Sequence, residues 1–185
     1  MNGQTQVNEE EKDAFSQRDH SRPPERQTIP AHTALPRDGG GLLEAGRYAP
    51  SGHNKQAWRF TAILDQKLLQ ELNQLVRAGF AALALGEDAP KELRDAKAKA
   101  ERQGESYHFT YDAPCLIIAS NDTSDPNAQA SCACALENMF LAACEMGLGS
   151  CWVNQLHWLR DDLNLRKKLA ELGVPEAHTL SLIHI

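Results

Sequence analysis

The chain has 185 residues, 42% of them hydrophobic, and a formal net charge of −6. This length suits one domain with a sizeable core, and the longest apolar runs fall far short of the about 20 residues that a membrane-spanning helix needs. The negative charge argues against nucleic acid as a partner. The polar, acidic start of the chain does not read as a secretory signal, so we expect a cytoplasmic protein.

Residues 1–40 differ in composition from the rest of the chain. They are rich in Gln, Glu, Arg, Pro and Asp, and Phe15 is their one aromatic residue. Prolines and a run of three glycines at 39–41 interrupt any helical period. Such a segment buries too little apolar surface to offset the entropy of ordering it. We therefore predict a disordered or atypical N-terminal segment over 1–40 and a globular domain over 41–185.

Hydrophobic periodicity predicts alternating helices and strands in the globular part. The predicted helices are 42–49, 66–85, 90–103, 125–146 and 159–172. The predicted strands are 58–64, 111–120, 148–153 and 179–185. Asp88 and Asp125 are the expected caps of the third and fourth helices. The apolar run at 115–119 is typical of a strand that is buried on both faces.

The most informative stretch, 47–60, reads Arg-Tyr-Ala-Pro-Ser-Gly-His-Asn-Lys-Gln-Ala-Trp-Arg-Phe. Pro50 ends the first helix, because proline disfavours helix in the residue before it. A polar turn then leads into the strand that begins at Trp58, which we assign to the core. A turn this polar between two packed elements presents amide and backbone groups that can bind a flat heteroaromatic ligand.

This stretch resembles the hallmark of the nitroreductase family of FMN-dependent oxidoreductases, Ala-Pro-Ser-x-x-Asn-x-Gln-Pro-Trp. The matching residues are Ala49, Pro50, Ser51, Asn54, Gln56 and Trp58, while Ala57 stands where the family usually has proline. Later stretches at 112–114, 137–143 and 147–152 resemble the family in the same order. The resemblance covers about residues 42–180. It implies an α+β fold with a mixed sheet flanked by helices.

The resemblance also implies where a flavin would lie. Asn54 would pair with the pyrimidine edge of the FMN ring, Ser51 would contact the flavin, and Gln56 would support the turn or the ring edge. A backbone N–H near Asn154 or Gln155 would point at N5 of the ring. The cofactor-binding residues implied are Pro50, Ser51, Asn54, Gln56, Trp152, Asn154 and Gln155. No side chain need act as nucleophile or general base, so no catalytic side chain is assigned. Trp152 could serve either the core or the ligand.

The implied activity is hydride transfer from NAD(P)H, a transient electron donor, to small electron-poor acceptors such as nitroaromatics, quinones or activated alkenes. Donor and acceptor would use one site in turn, in a ping-pong mechanism. The resemblance further implies a homodimer with the flavin sites at the subunit interface. The helix over 125–146 agrees, because small and apolar residues occupy much of its circumference.

Two departures from the family pattern concern the flavin phosphate. Arg18, Arg22 and Arg26 lie where members carry an arginine cluster, but prolines interrupt them. Members also continue past the last strand with a basic tail, so a chain ending at Ile185 is expected to be truncated at its C-terminus. Two alternatives therefore stay open: a flavin-binding or flavin-storing protein with little turnover, and a truncated fragment that binds no flavin.

Five cysteines occur in the chain, and no pair has the Cys-x-x-Cys spacing of a metal site. Cys132, Cys134, Cys144 and Cys151 lie in or just after one predicted helix. We expect them to be small buried residues rather than metal ligands or disulfide partners.

Overall fold

Six α-helices, two short 3-10 helices (Gly52–Asn54 and Gly104–Ser106) and four strands lie within residues 39–184, the part of the chain that the computed structural model describes. The helices are α1 (Gly39–Arg47), α2 (Gln66–Ala82), α3 (Lys91–Gln103), α4 (Ala128–Glu145), α5 (Gln155–Trp158) and α6 (Leu163–Glu171). The strands are β1 (Arg59–Ile63), β2 (Leu116–Asp122), β3 (Cys151–Val153) and β4 (His178–His184). None of these helices is long and apolar enough to cross a membrane. The predicted N-terminal segment, 1–40, lies almost entirely outside the described residues, which begin at 39.

The four strands form one sheet in the order β1-β2-β4-β3. All three pairings within the described range are antiparallel; Leu116 of β2, for example, lies opposite Ile63 on one side and His184 on the other. The α+β prediction is confirmed, although a mixed sheet was expected. Strand β2 is central and, as predicted, buried on both faces. Leu116 and Ile118 face one core cluster, and Ile117 and Ala119 face the other.

Helices cover both faces of the sheet. Apolar side chains of α2 and α6 fill the larger core cluster, and those of α1 and α4 fill the second. In α4, Leu136 and Met139 are completely buried, and burying a side chain of this size contributes about 1.5–3 kcal/mol. The amide of Asn138 donates to the backbone oxygen of Ala45 at 3.0 Å, which joins α4 to α1. These contacts fix α4 against the sheet and α1, so α4 can position the loops that pack against it.

Several predicted boundaries were wrong. Helix α3 begins after Pro90 without a side-chain cap, so Asp88 does not cap it. Asp125 does not cap α4 either, because its carboxylate accepts from the N–H of Asn127 in a turn before the helix, at 3.0 Å. The strand predicted from residue 111 begins only at 116, since Tyr111 and Asp112 have positive φ values of 53° and 63° that interrupt an extended chain.

A further boundary error concerns the end of the chain. The predicted helix over 159–172 starts four residues later, at Leu163, where the carboxylate of Asp162 accepts from the N–H of Leu165 at 2.8 Å. The short helix α5 before it was not predicted. Four residues are too few for periodicity to reveal a helix.

The expectation for the cysteines holds for one of the four and is wrong for the others. Cys132 is buried, as is Cys115 immediately before β2, and burial raises the pKa of these thiols to about 12 and about 11. Cys134, Cys144 and Cys151 are exposed. Cys134 and Cys144 lie on the side of α4 that faces away from the sheet, which no other described element covers.

Candidate functional site

The 51–56 turn joins α1 to β1 in a conformation that few residue types adopt readily. His53, Asn54 and Gln56 have positive φ values of 53°, 52° and 50°. This left-handed region costs most residues other than Gly, Asn and Asp about 1–2 kcal/mol. The hydroxyl of Ser51 accepts from the N–H of Gln56 at 2.8 Å and so closes the turn internally. Strained conformations of this kind persist only where the surroundings impose them, and they cluster at functional sites.

The start of α4 imposes this conformation on the turn. A Cβ added to Gly52 would lie 2.5–2.7 Å from three side-chain atoms of Asn127, so only glycine fits without displacement. The N–H of Gly52 donates to the Ser131 hydroxyl at 3.4 Å. Lys55 lies 3.6 Å from the carboxylate of Asp125, which is 8% exposed. The turn thus meets residues 125–131, at and just before the start of α4, at three points. The side chain of Asn54 is exposed and has no protein partner within residues 39–184.

The 152–155 segment comprises the end of β3, Asn154 and the first residue of α5. Trp152 is 39% exposed, and its indole N–H donates to the Asn154 side chain at 2.8 Å. The indole also stacks on Phe140 of α4, with ring centroids 6.4 Å apart and planes at 22°. Gln155 points the other way: it is 7% exposed, and its Nε2 donates to the hydroxyl of Tyr107 at 3.4 Å.

A cavity of about 380 Å³ opens beside this segment. It is lined by Gln129, Ala130, Ala133, Trp152, Asn154, His157, Leu180 and Ser181. Burial, together with the nearby Arg160, lowers the pKa of His157, so a neutral imidazole lines the cavity at neutral pH. The walls combine an aromatic face, amides and small side chains. Among residues 39–184 no group of three His, Cys, Asp or Glu residues is placed to hold a metal ion.

The turn and the segment lie against different sides of α4. Ser131, which contacts the turn, and Phe140, which contacts the segment, are nine positions apart in the helix. At about 3.6 residues per turn, this separation places them on opposite sides of the helix. The structure therefore groups Pro50, Ser51, Asn54 and Gln56 at one place and Trp152, Asn154 and Gln155 at another. Within a single chain the two halves of the predicted site do not meet.

Sequence reasoning missed the residues that hold these two regions in place. Asp125, Asn127 and Ser131 fix the turn, and Tyr107 anchors Gln155. Asp125, Asn127 and Ser131 could have been found from the sequence, because they are polar residues at or just before the start of a helix that is otherwise rich in small and apolar side chains. The role of Tyr107 could not, because it lies 48 residues before Gln155 in a segment with no regular hydrophobic period.

Comparison with known proteins gives consistent matches. The model of the nitroreductase family matches residues 40–185. A nitroreductase with bound FMN from Bacteroides fragilis is 36% identical, with a TM-score of 0.70, over 96% of this chain and 87% of that one. A nitroreductase with bound FMN from Desulfitobacterium hafniense is 23% identical, with a TM-score of 0.66, over 85% and 80% of the two chains. The latter supports the fold alone.

One further relative is named for an activity other than nitroreduction. Iodotyrosine deiodinase from Thermotoga neapolitana is 31% identical over 109 residues, which is 58% of this chain. The match spans 56% of the relative's length.

Proposed function

The chain belongs to the nitroreductase family, and on this premise we propose that it is an FMN-dependent oxidoreductase that uses NAD(P)H to reduce small electron-poor acceptors. The observation that carries the proposal is the 51–56 turn. Its left-handed residues are held in place by the start of α4, and they leave the amide of Asn54 exposed and without a partner among residues 39–184. FMN is present in the similar structure from Bacteroides fragilis, which is 36% identical to this chain.

The residues of both regions fit the chemistry of a flavin. The Asn54 amide has a donor and an acceptor, as the pyrimidine edge of the ring requires. Pro50, Ser51 and Gln56 would border the same edge or support the turn. On the other half of the site, the Trp152 face, the Asn154 side chain and the Gln155 backbone would border the ring. Bound FMN supplies the electron transfer, and the protein binds it, orients it and limits the access of water.

A second copy of this chain would bring the two halves of the site together. Helix α4 and the residues after it expose large apolar side chains: Leu141 is 62% exposed, and Met146, Leu148 and Trp152 are each 39% exposed. Exposed apolar groups concentrated in one region mark an interaction surface. We place the partner's 51–56 turn opposite the 152–155 segment, so the functional unit would be a homodimer.

Charge placed in this surface tests the homodimer. Leu141→Glu should shift the sedimenting species from dimer to monomer and weaken FMN binding with it. Leu163→Glu is the matched control, because Leu163 is 84% exposed at the start of α6, away from α4. It should leave both measurements unchanged. A parent protein that sediments as a monomer with a full complement of FMN would refute the homodimer.

The activity is tested on the purified parent protein. Flavin absorption with about one FMN per chain, followed by NADH or NADPH oxidation that depends on a quinone or nitroaromatic acceptor, is the expected result. Bound flavin without turnover would favour a flavin-storing protein instead. Absence of FMN even after reconstitution would favour a non-binding fragment.

Reductive removal of iodide is a second candidate, favoured by the 31% identity to iodotyrosine deiodinase. It would use the same cofactor and differ only in the acceptor. Iodotyrosine therefore belongs in the acceptor panel, with iodide release as its readout. Iodide release that outpaces reduction of the nitroaromatic and the quinone would replace our first assignment.

A further inference from the structure

The side-chain amide of Gln155 lies in the protein core. The backbone of the same residue is the part that the proposed function assigns to the flavin. The side chain is 7% exposed, and its Nε2 lies 3.4 Å from the Tyr107 hydroxyl. Tyr107 is 2% exposed and packs edge-on against Phe80, with ring centroids 6.4 Å apart. The hydrogen bond therefore lies inside the larger core cluster, on the opposite side of the backbone from the cavity.

Tyr107 is itself a fixed anchor. Asn73 of α2 donates from Nδ2 to the backbone oxygen of Tyr107 at 2.6 Å. The Oδ1 atom of the same residue accepts from the N–H of Phe109 at 3.0 Å. One buried amide thus holds the chain on both sides of residue 108. Gln155 is attached through Tyr107 to α2.

The amide of Gln155 is only half satisfied. Its Oε1 atom is buried and has no hydrogen-bond partner within the described part of the chain. Rotating the amide by 180° would bring Oε1 to the Tyr107 hydroxyl but leave Nε2 unpaired instead. A buried polar atom without a partner is unfavourable. An apolar side chain of similar length would remove the unpaired Oε1 but would leave the buried Tyr107 hydroxyl without its hydrogen bond to Gln155. Either choice leaves one buried polar atom unpaired, so core packing alone does not favour glutamine at this position.

The same stretch of backbone is also held from outside. Trp152 donates to the Asn154 side chain and stacks on Phe140 of α4. Gln155, the next residue along, is held from the core. The peptide between Asn154 and Gln155 is therefore fixed on both sides, by the contact of Asn154 with Trp152 at the surface and by the contact of Gln155 with Tyr107 in the core.

We propose that Gln155 is a positioning residue, whose hydrogen bond to Tyr107 fixes the Asn154–Gln155 backbone in the orientation that bound FMN requires. This inference rests on the proposed function and adds to it the interior contact that orients one half of the site. It assigns the side chain of Gln155 to Tyr107 and only its backbone to the cofactor.

The test compares Gln155→Met, which keeps the length of the side chain and removes the amide, with the parent protein. Melting temperature, FMN affinity and the absorption spectrum of bound FMN are measured on both. Amide hydrogen exchange over 151–158 is measured without FMN. We expect a melting temperature close to that of the parent, because an unpaired Tyr107 hydroxyl replaces an unpaired Gln155 oxygen. We also expect faster exchange over 151–158 and FMN affinity weaker by about tenfold, as for the loss of one oriented contact.

Tyr107→Phe provides a second route to the same contact. It removes the hydroxyl and leaves the whole Gln155 amide unpaired, so it should lower the melting temperature and also weaken FMN binding. Gln103→Met is the matched control, because Gln103 is exposed and its side chain takes no part in these contacts. It should match the parent in all four measurements.

A merely structural role gives the opposite pattern. A Gln155→Met protein that melts far below the parent, or fails to fold, while Gln103→Met folds would overturn the inference. Parental FMN affinity, spectrum and hydrogen exchange in the variant would overturn it as well. If the parent binds no FMN, the proposed function fails first. The exchange measurement then still decides whether Gln155 fixes this backbone.

Discussion

The two halves of the candidate site are held in place by different means. The 51–56 turn owes its shape to left-handed backbone conformations and to close contact with the start of α4. The 152–155 segment owes its shape to side chains that reach Phe140 on one side and Tyr107 on the other. A backbone held by steric contact tolerates little change. A backbone held by several side chains should lose its position gradually as they are removed.

The largest effect is expected at Gly52. In Gly52→Ala the new methyl group would meet the Asn127 side chain at 2.5–2.7 Å, so either the turn or the start of α4 must move. Overpacking of this kind costs about 1–3 kcal/mol in the free energy of unfolding. Displacement of the turn should also weaken FMN binding more than any other single change discussed here. Thermal unfolding and FMN titration by fluorescence quenching measure the two effects.

Two further variants show whether the contact with Asn127 is the cause. Gly86→Ala is the control, because no atom lies within 4 Å of a Cβ added there; its stability should equal that of the parent. Gly52→Ala combined with Asn127→Gly removes the obstructing side chain and should restore much of the loss. A double variant as damaged as Gly52→Ala would mean that steric contact does not define the turn.

Asn54 should give the next largest effect, and two substitutions separate its two roles. Asn54→Ala removes the amide and adds backbone strain at a φ of 52°. Asn54→Gly removes the amide but adopts that φ freely. If the amide pairs with the flavin, both variants should lose about 1–3 kcal/mol of binding free energy, roughly ten- to a hundredfold in FMN affinity. Parental affinity in a folded Asn54→Gly protein would assign the residue to the backbone alone.

Much of the fold could be predicted because its signals are local. The apolar run of β2 and the apolar period of α2, for example, each lie within one stretch of consecutive residues. The family resemblance carried by the stretch over 49–58 is confirmed by the match over residues 40–185. The errors arise where tertiary contacts decide. Asp125 looks like a helix cap, but in the structure it accepts from the Asn127 backbone and lies near Lys55.

The site was predictable only in part, for the same reason. Its candidate residues stay predictions, and their grouping on two sides of α4 could not be derived from spacing along the chain. Ser51 illustrates the limit. The motif suggests that its hydroxyl contacts the flavin, whereas in the structure this oxygen accepts from the Gln56 N–H. Nothing in the motif distinguishes a ligand contact from a contact that closes the turn.

The smallest effect is expected from pH, and it should arise outside the turn. Burial is the main cause that lowers the pKa of both His157, on α5 beside the cavity, and His178, on β4. In the unfolded chain these rings titrate near pH 6.5, so below that pH the unfolded state binds more protons than the folded state. The stability that the neutral rings contribute is therefore complete above about pH 6.5 and decreases as the pH falls below it.

Melting temperature measured between pH 7.5 and 5.5 should decline towards the acid end. In the combined variant His157→Gln, His178→Gln this decline should be shallower, because neither position gains a proton there. His53→Gln is the control, since His53 is exposed in the turn, and it should keep the parental slope. A combined variant with the parental slope would mean that other groups cause the decline. A flatter slope in His53→Gln would place the pH sensitivity in the 51–56 turn and would contradict the expectation that it arises outside the turn.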